Sequence, residues 1–215
     1  MKKFVFSSAI ILSSFLAITA FRTATPAVKD NTGLSPLQGT AVTKWEVDKV
    51  HSNVKFTVTH MVISEVDGSF RDFTGTIEHS KADFSDAKIN FTIEVGSVDT
   101  DNEKRDGHLK SPDFFDAVKY PQMKFTSTSF KPLGNNKFTL TGNLTLKDIT
   151  KPVTFDVTYG GTVISQGMVK AGFKAKATIN RFDYNLKWSS ATEAGGLIVS
   201  KEVDIAINAE LNQVK

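Results

Sequence analysis

The sequence predicts an all-β fold in which about eight antiparallel strands close into a barrel, with one or two short helices covering an end. Polar and apolar residues alternate in most segments between Thr43 and Leu211, which gives each strand one wet face and one apolar face. Several strands reach ten or more residues, longer than is typical of a sandwich, and tight turns join them. These features favour an up-and-down barrel, because closure removes exposed strand edges.

The alternation also places the individual strands. In chain order it predicts strands over residues 45–47, 54–60, 68–79, 88–95, 123–126, 138–146, 153–159, 173–179 and 197–211. A hairpin turn is expected at Asn135 and Asn136, and the pair Gly160–Gly161 is expected to break a strand. If four small residues on inward faces, Gly75, Gly142, Ala175 and Ala177, line the interior, they leave room that a filled core would not. An eight-stranded barrel can hold one small ligand.

Composition narrows the classes of function. The 215 residues suffice for one large β domain. Phenylalanine is over-represented, with 17 residues against 3 Tyr and 2 Trp, and its lack of a polar group suits surfaces that stay dry or meet an apolar ligand. A net charge of +3 is too small to indicate binding to nucleic acid. The absence of cysteine excludes disulfides, a thiol nucleophile, thiolate zinc sites and a lipidated-cysteine anchor.

The N-terminus resembles a targeting segment. Lys2 and Lys3 precede an apolar run over residues 4–20 that ends in a cleavage-like Ile-Thr-Ala, so residues 1–20 are predicted to be a signal peptide. An uncleaved anchor is the alternative, but the run is short for a membrane span and contains four serines. Residues 21–42 are rich in Thr, Pro, Ala, Gly and Ser and are predicted to be a flexible linker. Residues 43–215 would then form a periplasmic or otherwise exported barrel without a stable membrane anchor.

One stretch, Thr100–Pro121, breaks the alternation between two predicted strands. It combines polar side chains with apolar ones, namely Arg105, Asp106 and His108 with Leu109, Phe114 and Phe115. We predict that it forms a lid or one wall of the barrel mouth. The order Ser111-Pro112-Asp113 is typical of an N-cap followed by proline in the first helical turn, so a short helix is expected to start there.

Motifs in four segments, residues 43–60, 68–77, 95–128 and 140–155, resemble the YceI-like family of exported lipid-binding proteins. The most specific pattern is RDGHL, followed by FFD, YP, F and ST at fixed spacing. The resemblance extends from about Trp45 to Leu211, and it implies a lipocalin-like barrel that binds a long-chain polyisoprenoid or another amphiphilic lipid. One departure is that Tyr184 is followed by Asn185, where the family often has an aromatic residue and then glycine.

The leading hypothesis is therefore an exported, non-enzymatic carrier or reservoir for one elongated lipid, without a cofactor. The predicted ligand-binding residues are Phe56, Val58, Phe73, Ile77, Phe91, Ile93, Phe125, Leu144, Phe155, Phe173 and Ile179, with Leu109, Phe114 and Phe115 plugging the barrel end or touching the ligand. Arg105, Asp106 and His108 either contact the lipid head group or brace the loop. No metal site is expected, because the four histidines match no compact ligand pattern and no cysteine supports them.

Two other functions stay open. The first is an enzyme acting on a lipid head group, with His108 and Asp106 as acid and base. The second is a barrel with a filled core that acts through a protein partner. Lipocalin-like domains can also form homodimers, although the sequence does not indicate a dimer interface.

Overall fold

The described part of the chain, residues 41–191 and 197–214 of a computed structural model, is dominated by one antiparallel sheet. Its elements are β1 (Thr43–Val47), β2 (Asn53–His60), β3 (Ser64–Phe70), β4 (Phe73–His79), β5 (Lys88–Glu94), β6 (Val98–Asp99), α1 (Glu103–Lys110), β7 (Gln122–Gly134), β8 (Lys137–Leu146), β9 (Ile149–Ser165), β10 (Met168–Asn180) and β11 (Glu202–Val214). Within these residues, no helix has the length and apolar character needed to span a membrane. The predicted signal peptide and nearly all of the predicted linker lie outside the described residues and stay predictions.

The sheet closes on itself. The strands β1, β4, β5, β7, β8, β9, β10 and β11 are neighbours in that order, and β11 pairs back to β1 with Val47 opposite Leu211. The predicted eight-stranded antiparallel barrel is therefore confirmed. The remaining strands continue this wall, because β2 pairs with β11 beyond β1, while β3 pairs with β2 and β6 with β3.

Two positions in the wall are interrupted by short kinks. Between β1 and β2, the side chain of Asp48 accepts a hydrogen bond from the Val50 amide at 3.1 Å and starts a single 3-10 turn. Between β3 and β4, Arg71 and Asp72 leave the ladder, so the predicted strand over residues 68–79 is divided in two. Each kink therefore separates two strands that lie close together in the sequence.

The two ends of the barrel are built differently. The closed end contains residues 80–87 and the turns at 135–136 and 166–167. Phe84 fills it, with its ring centroid 4.1 Å from that of His79 and 5.5 Å from those of Tyr159 and Phe173. Trp45 Nε1 donates to His79 Nε2 at 2.9 Å, so this aromatic plug has its polar atoms paired. The opposite end, called the lid end, contains α1, residues 111–121, the turn at 61–63 and residues 181–191 and 197–201.

Three local predictions are wrong. The helix lies before Ser111, not after it: Asn102 is its N-cap and accepts from the Arg105 amide at 3.0 Å, while Ser111 is its C-cap. Pro112 therefore follows the helix end, which is the other place where proline is common. The pair Gly160–Gly161 does not break β9, because a register shift beside Gly172 absorbs the irregularity. The last strand begins at Glu202, and only isolated bridges precede it.

Glycines inside the barrel do not simply leave room. A side chain at Gly75 would collide with the ring of Phe91, and one at Gly142 would collide with the ring of Phe125. Each ring comes from the adjacent strand and lies across the glycine. Neither glycine lines the cavity, and neither leaves free space, because a phenylalanine ring from the adjacent strand occupies the position that a side chain would take.

Candidate functional site

A cavity of about 480 Å³ lies inside the barrel, and its lining is almost entirely apolar. This volume falls within the range of small-molecule binding sites. All but one of the predicted apolar contact residues line it, namely Phe56, Val58, Ile77, Phe91, Ile93, Phe125, Leu144, Phe155, Phe173, Ile179, Leu109, Phe114 and Phe115. Their contact with a ligand stays a prediction.

Phe73 is the exception among these residues. It is buried, but its ring stacks on Phe91 at 5.7 Å between centroids and does not line the cavity. It starts β4 directly after the kink at Arg71 and Asp72, where the strand is interrupted. Phe73 therefore supports a lining residue from behind, and strand alternation alone could not distinguish these two roles.

Several lining residues were missing from the predicted set. The inward face of β11 contributes Val203, Ile205, Ile207, Ala209 and Leu211, which the alternation already placed on one face. Leu186 and Trp188 come from the irregular segment after β10, where no periodic signal exists. Only the richness of that segment in large side chains could have indicated them.

Aromatic side chains cover the cavity at the lid end. The ring of Phe115 packs edge-on against Phe70 at 5.8 Å, and Phe114 packs against Trp188 at 5.3 Å. His108 lies edge-on to both Phe114 and Trp188, at 5.1 and 5.2 Å. The prediction of Thr100–Pro121 as a lid therefore agrees with its position, although α1 itself contributes no fully buried residue.

The three predicted head-group residues do not form one constellation. Arg105 donates from Nε to Thr100 Oγ1 and from Nη2 to the Thr100 carbonyl, both at 2.7 Å. Asp106 accepts from the Thr100 amide at 2.9 Å and lies outside the cavity lining. His108 instead bonds through Nε2 to Asp113 Oδ2 at 2.9 Å. The first two residues brace the start of the lid, and the proposed acid–base pair of His108 with Asp106 is not brought together.

A buried arginine that the sequence did not single out also lines the cavity. Arg181 is 3% exposed, and its guanidinium donates to four backbone carbonyls, those of Leu186, Trp188, Val199 and Ser200, at 2.5 to 3.1 Å. Burial lowers the pKa of Arg181, and the carbonyls compensate the lost hydration of its charge. Arg181 therefore fixes residues 186–188 against residues 199–200 at the mouth.

The family departure at Asn185 has a simple structural account. Asn185 is the C-cap of the short 3-10 helix Arg181–Tyr184 and has a left-handed backbone, with φ of 58°. Asparagine tolerates this conformation better than other side-chain-bearing residues, so it can replace glycine here. The preceding Tyr184 is buried, which raises its pKa to about 12, and the charge of Asp183 adds to the effect.

A cluster of ionisable groups lies at the β1–β2 kink, apart from the cavity. Asp48, His51 and Glu210 bring potential metal-ligating atoms together, but Lys170 Nζ already contacts Asp48 Oδ2 at 3.2 Å and Glu210 Oε1 at 2.7 Å. Hydrogen bonds from His51, Lys170 and Asn212 hold the pKa of Asp48 well below its usual range, and Glu210 raises the pKa of Lys170. The lysine thus supplies the cation, and the cluster fastens β1 to β10 and β11.

Comparison with known proteins identifies the family. Residues 45–211 match the YceI-like domain. The chain belongs to the YceI-like family. Protein YceI of Escherichia coli is 40% identical over 174 residues, which cover 80% of this chain and 87% of the relative.

Solved structures agree with the barrel. BcnA of Burkholderia cenocepacia is similar with a TM-score of 0.68 and 27% identity, over 76% of this chain and 98% of that one. A polyisoprenoid-binding domain from Saccharophagus degradans is similar with a TM-score of 0.56, over 78% of this chain and 97% of that one. At 16% identity, this second similarity concerns the fold alone.

Proposed function

We propose that this YceI-like chain is an exported, non-enzymatic carrier or reservoir that binds one elongated amphiphilic lipid, of polyisoprenoid or fatty-acyl type, inside the barrel. The observation that carries this proposal is the apolar cavity of about 480 Å³, closed by aromatic rings at one end and covered by the lid at the other. The solved polyisoprenoid-binding domain has a similar fold, so a barrel of this architecture can hold a ligand of this class.

Burial of the lipid tail supplies the affinity. Each methylene transferred from water to an apolar interior contributes about 0.8 kcal/mol, so ten methylenes contribute about 8 kcal/mol, from which the cost of association is subtracted. The polar end of the ligand then lies at the lid end, near Arg105 and His108, which line the cavity there. Arg105 uses only part of its five donors on Thr100, so a guanidinium N–H is available to a head-group oxygen.

Export is part of the proposal. The segment over residues 1–20 is proposed to direct the chain out of the cytoplasm and to be removed, which leaves the barrel without a stable membrane anchor. The intact mass of the protein recovered from the exported fraction tests this step. Loss of the first 20 residues is expected, and a full-length mass would contradict it.

Lipid extraction tests the binding function directly. The purified protein is extracted with organic solvent and the extract is identified by mass spectrometry, while the stripped protein is titrated with a polyprenol and with a fatty acid. The chain has two tryptophans, so a Trp45→Phe variant leaves Trp188 at the mouth as a single reporter. We expect a bound lipid and a change of Trp188 fluorescence on titration. A lipid-free protein whose fluorescence does not respond would overturn the proposal.

The two other functions predict different results. The filled-barrel alternative requires a packed interior, which the cavity contradicts. An enzyme using His108 remains testable, because His108 bonds to Asp113 beside the cavity. Turnover of a bound lipid that disappears in His108→Ala, while lipid binding persists, would replace the carrier by an enzyme. We expect no such turnover.

A further inference from the structure

An unusual turn joins β2 to β3 at the lid end. Its three residues are all apolar, and they are largely exposed: 45% for Met61, 73% for Val62 and 85% for Ile63. Exposed single hydrophobic residues are normal, but three in succession at the tip of a hairpin form a projecting apolar surface.

The backbone of this turn does not favour these residues. Met61 and Val62 both have positive φ, 52° and 67°. Turns with two such residues ordinarily contain Asn, Asp or Gly, and a β-branched valine in this conformation is strained. A sequence such as Asn-Gly would fold this hairpin more easily and would be better hydrated. Folding therefore does not explain the apolar side chains, which indicates a role in contact with another surface.

The turn belongs to the rim of the cavity. His60, which precedes it, lines the cavity, and so does Ile198, whose carbonyl accepts from the Met61 amide at 2.8 Å. His60 also forms a bridge to Val199. The apolar tip is thus directly adjacent to residues that line the cavity.

We infer that the Met61–Ile63 turn docks the protein on a lipid bilayer by inserting its side chains into the apolar layer. The inference rests on the proposed function, because a ligand with a long apolar tail is received from or returned to a membrane and not from free solution. The turn contains no charged residue. Docking by this tip therefore depends on apolar burial and is insensitive to salt, unlike attraction of a basic patch to anionic lipids.

The barrel offers a matched control at its opposite end. Val163 and Ile164, at the end of β9, are also consecutive exposed aliphatic residues, 59% and 75% exposed, and neither lines the cavity. The exported, processed protein is mixed with phosphatidylcholine vesicles and sedimented at low and high salt. We compare Val62→Asn/Ile63→Asn with Val163→Asn/Ile164→Asn. Because full burial of one such side chain changes a partition constant by about tenfold or more, the first variant is expected to bind vesicles at least about tenfold more weakly.

The control variant is expected to bind vesicles as the unmodified protein does, at both salt concentrations. Equal loss of binding in both variants, or binding that disappears at high salt, overturns the inference. A third result would also overturn the inference: Val62→Asn/Ile63→Asn binds vesicles as the unmodified protein does, but light scattering shows that this variant has lost a dimer that the unmodified protein forms. The turn would then contact a second copy of the chain and not a membrane. Circular dichroism checks that each variant is folded. Met61→Asn/Val62→Gly is a second test variant, in which the apolar side chains are replaced by residues that favour the backbone of this turn.

Failure of docking and failure of the carrier function are distinguishable. A protein that contains lipid on extraction but does not bind vesicles is a carrier without this docking site. A protein that contains no lipid and does not respond to added lipid, yet binds vesicles through the turn, docks on membranes without the proposed cargo.

Discussion

Replacement of Ala175 by phenylalanine tests whether the cavity accommodates an added ring and whether it is the ligand site. Ala175 is half-buried on β10 and lines the cavity between Val157 and Ile207, its partners on the two adjacent strands. In the ligand-free protein a phenylalanine ring at this position enters existing space. We therefore expect Ala175→Phe to stabilise the stripped protein and to exclude the ligand.

The magnitude follows from the burial of one ring. Full burial of a phenylalanine side chain contributes about 1.5–3 kcal/mol, so a gain of about 2 kcal/mol is expected for Ala175→Phe. Ala171 provides the control, since it lies on the same face of β10, four residues away, but is 2% exposed and does not line the cavity. Ala171→Phe overpacks a filled site and should cost about 1–3 kcal/mol. The two substitutions have the same chemistry and opposite expected signs.

Urea unfolding of the stripped proteins measures both effects. The midpoint should rise for Ala175→Phe and fall for Ala171→Phe, without a change of slope that would indicate a different unfolded state. Mass spectrometry of the extracts should show less lipid in Ala175→Phe than in the unmodified protein. If Ala175→Phe is destabilised as much as Ala171→Phe, the interior is filled and the reasoning from the cavity fails. If it keeps a full load of lipid, the ligand does not extend to β10.

Three further predictions concern other parts of the barrel. Arg181→Met should lower the free energy of unfolding by about 3 kcal/mol, because four backbone carbonyls lose their donor; an unchanged urea midpoint would contradict this. The pKa of Asp48 is lower in the folded protein than its unfolded value of about 3.9, so its stabilising effect is present above about pH 4 and lost as pH falls further. Asp48→Asn should therefore flatten the dependence of the urea midpoint on pH between about 5 and 2, and parallel curves would disprove the linkage. Met61→Asn/Val62→Gly should relieve turn strain and stabilise the protein by about 1–2 kcal/mol, seen as a higher urea midpoint, and a lower midpoint would show that the native turn is unstrained.

The barrel could be predicted from the sequence because alternation is a local signal that repeats around the whole wall. Residues such as Phe125 and Leu144 occupy regular strand positions, so their inward direction follows from the pleat alone. Features that depend on contacts between distant segments could not be predicted in this way. The alternation predicts that Phe73 faces the interior, but its ring packs behind that of Phe91. The space beside Gly142 is occupied by the ring of Phe125 on β7.

The lid shows the same limit in its polar residues. Arg105, Asp106 and His108 lie within four positions of one another, which suggested a single site. The helix instead turns Asp106 and Arg105 towards Thr100, and His108 towards Asp113. Arg181 was missed because its partners are backbone carbonyls of an irregular segment. Every residue has a backbone carbonyl, so the sequence does not indicate which of them will accept a hydrogen bond.

The difference between the two ends of the barrel predicts the route of the proposed ligand. The closed end is filled by packed aromatic rings around Phe84, with Trp45 bonded to His79, so opening it would expose several large apolar surfaces at once. At the lid end, α1 buries no residue completely, and the segment is held by the aromatic contacts of Phe114 and Phe115 and by side-chain donors such as Lys147, which bonds to the Phe114 carbonyl at 3.0 Å. Local opening costs least where few apolar contacts are lost. If the chain binds a lipid as proposed, we expect the lipid to pass through the lid end, the same end at which the Met61–Ile63 turn projects.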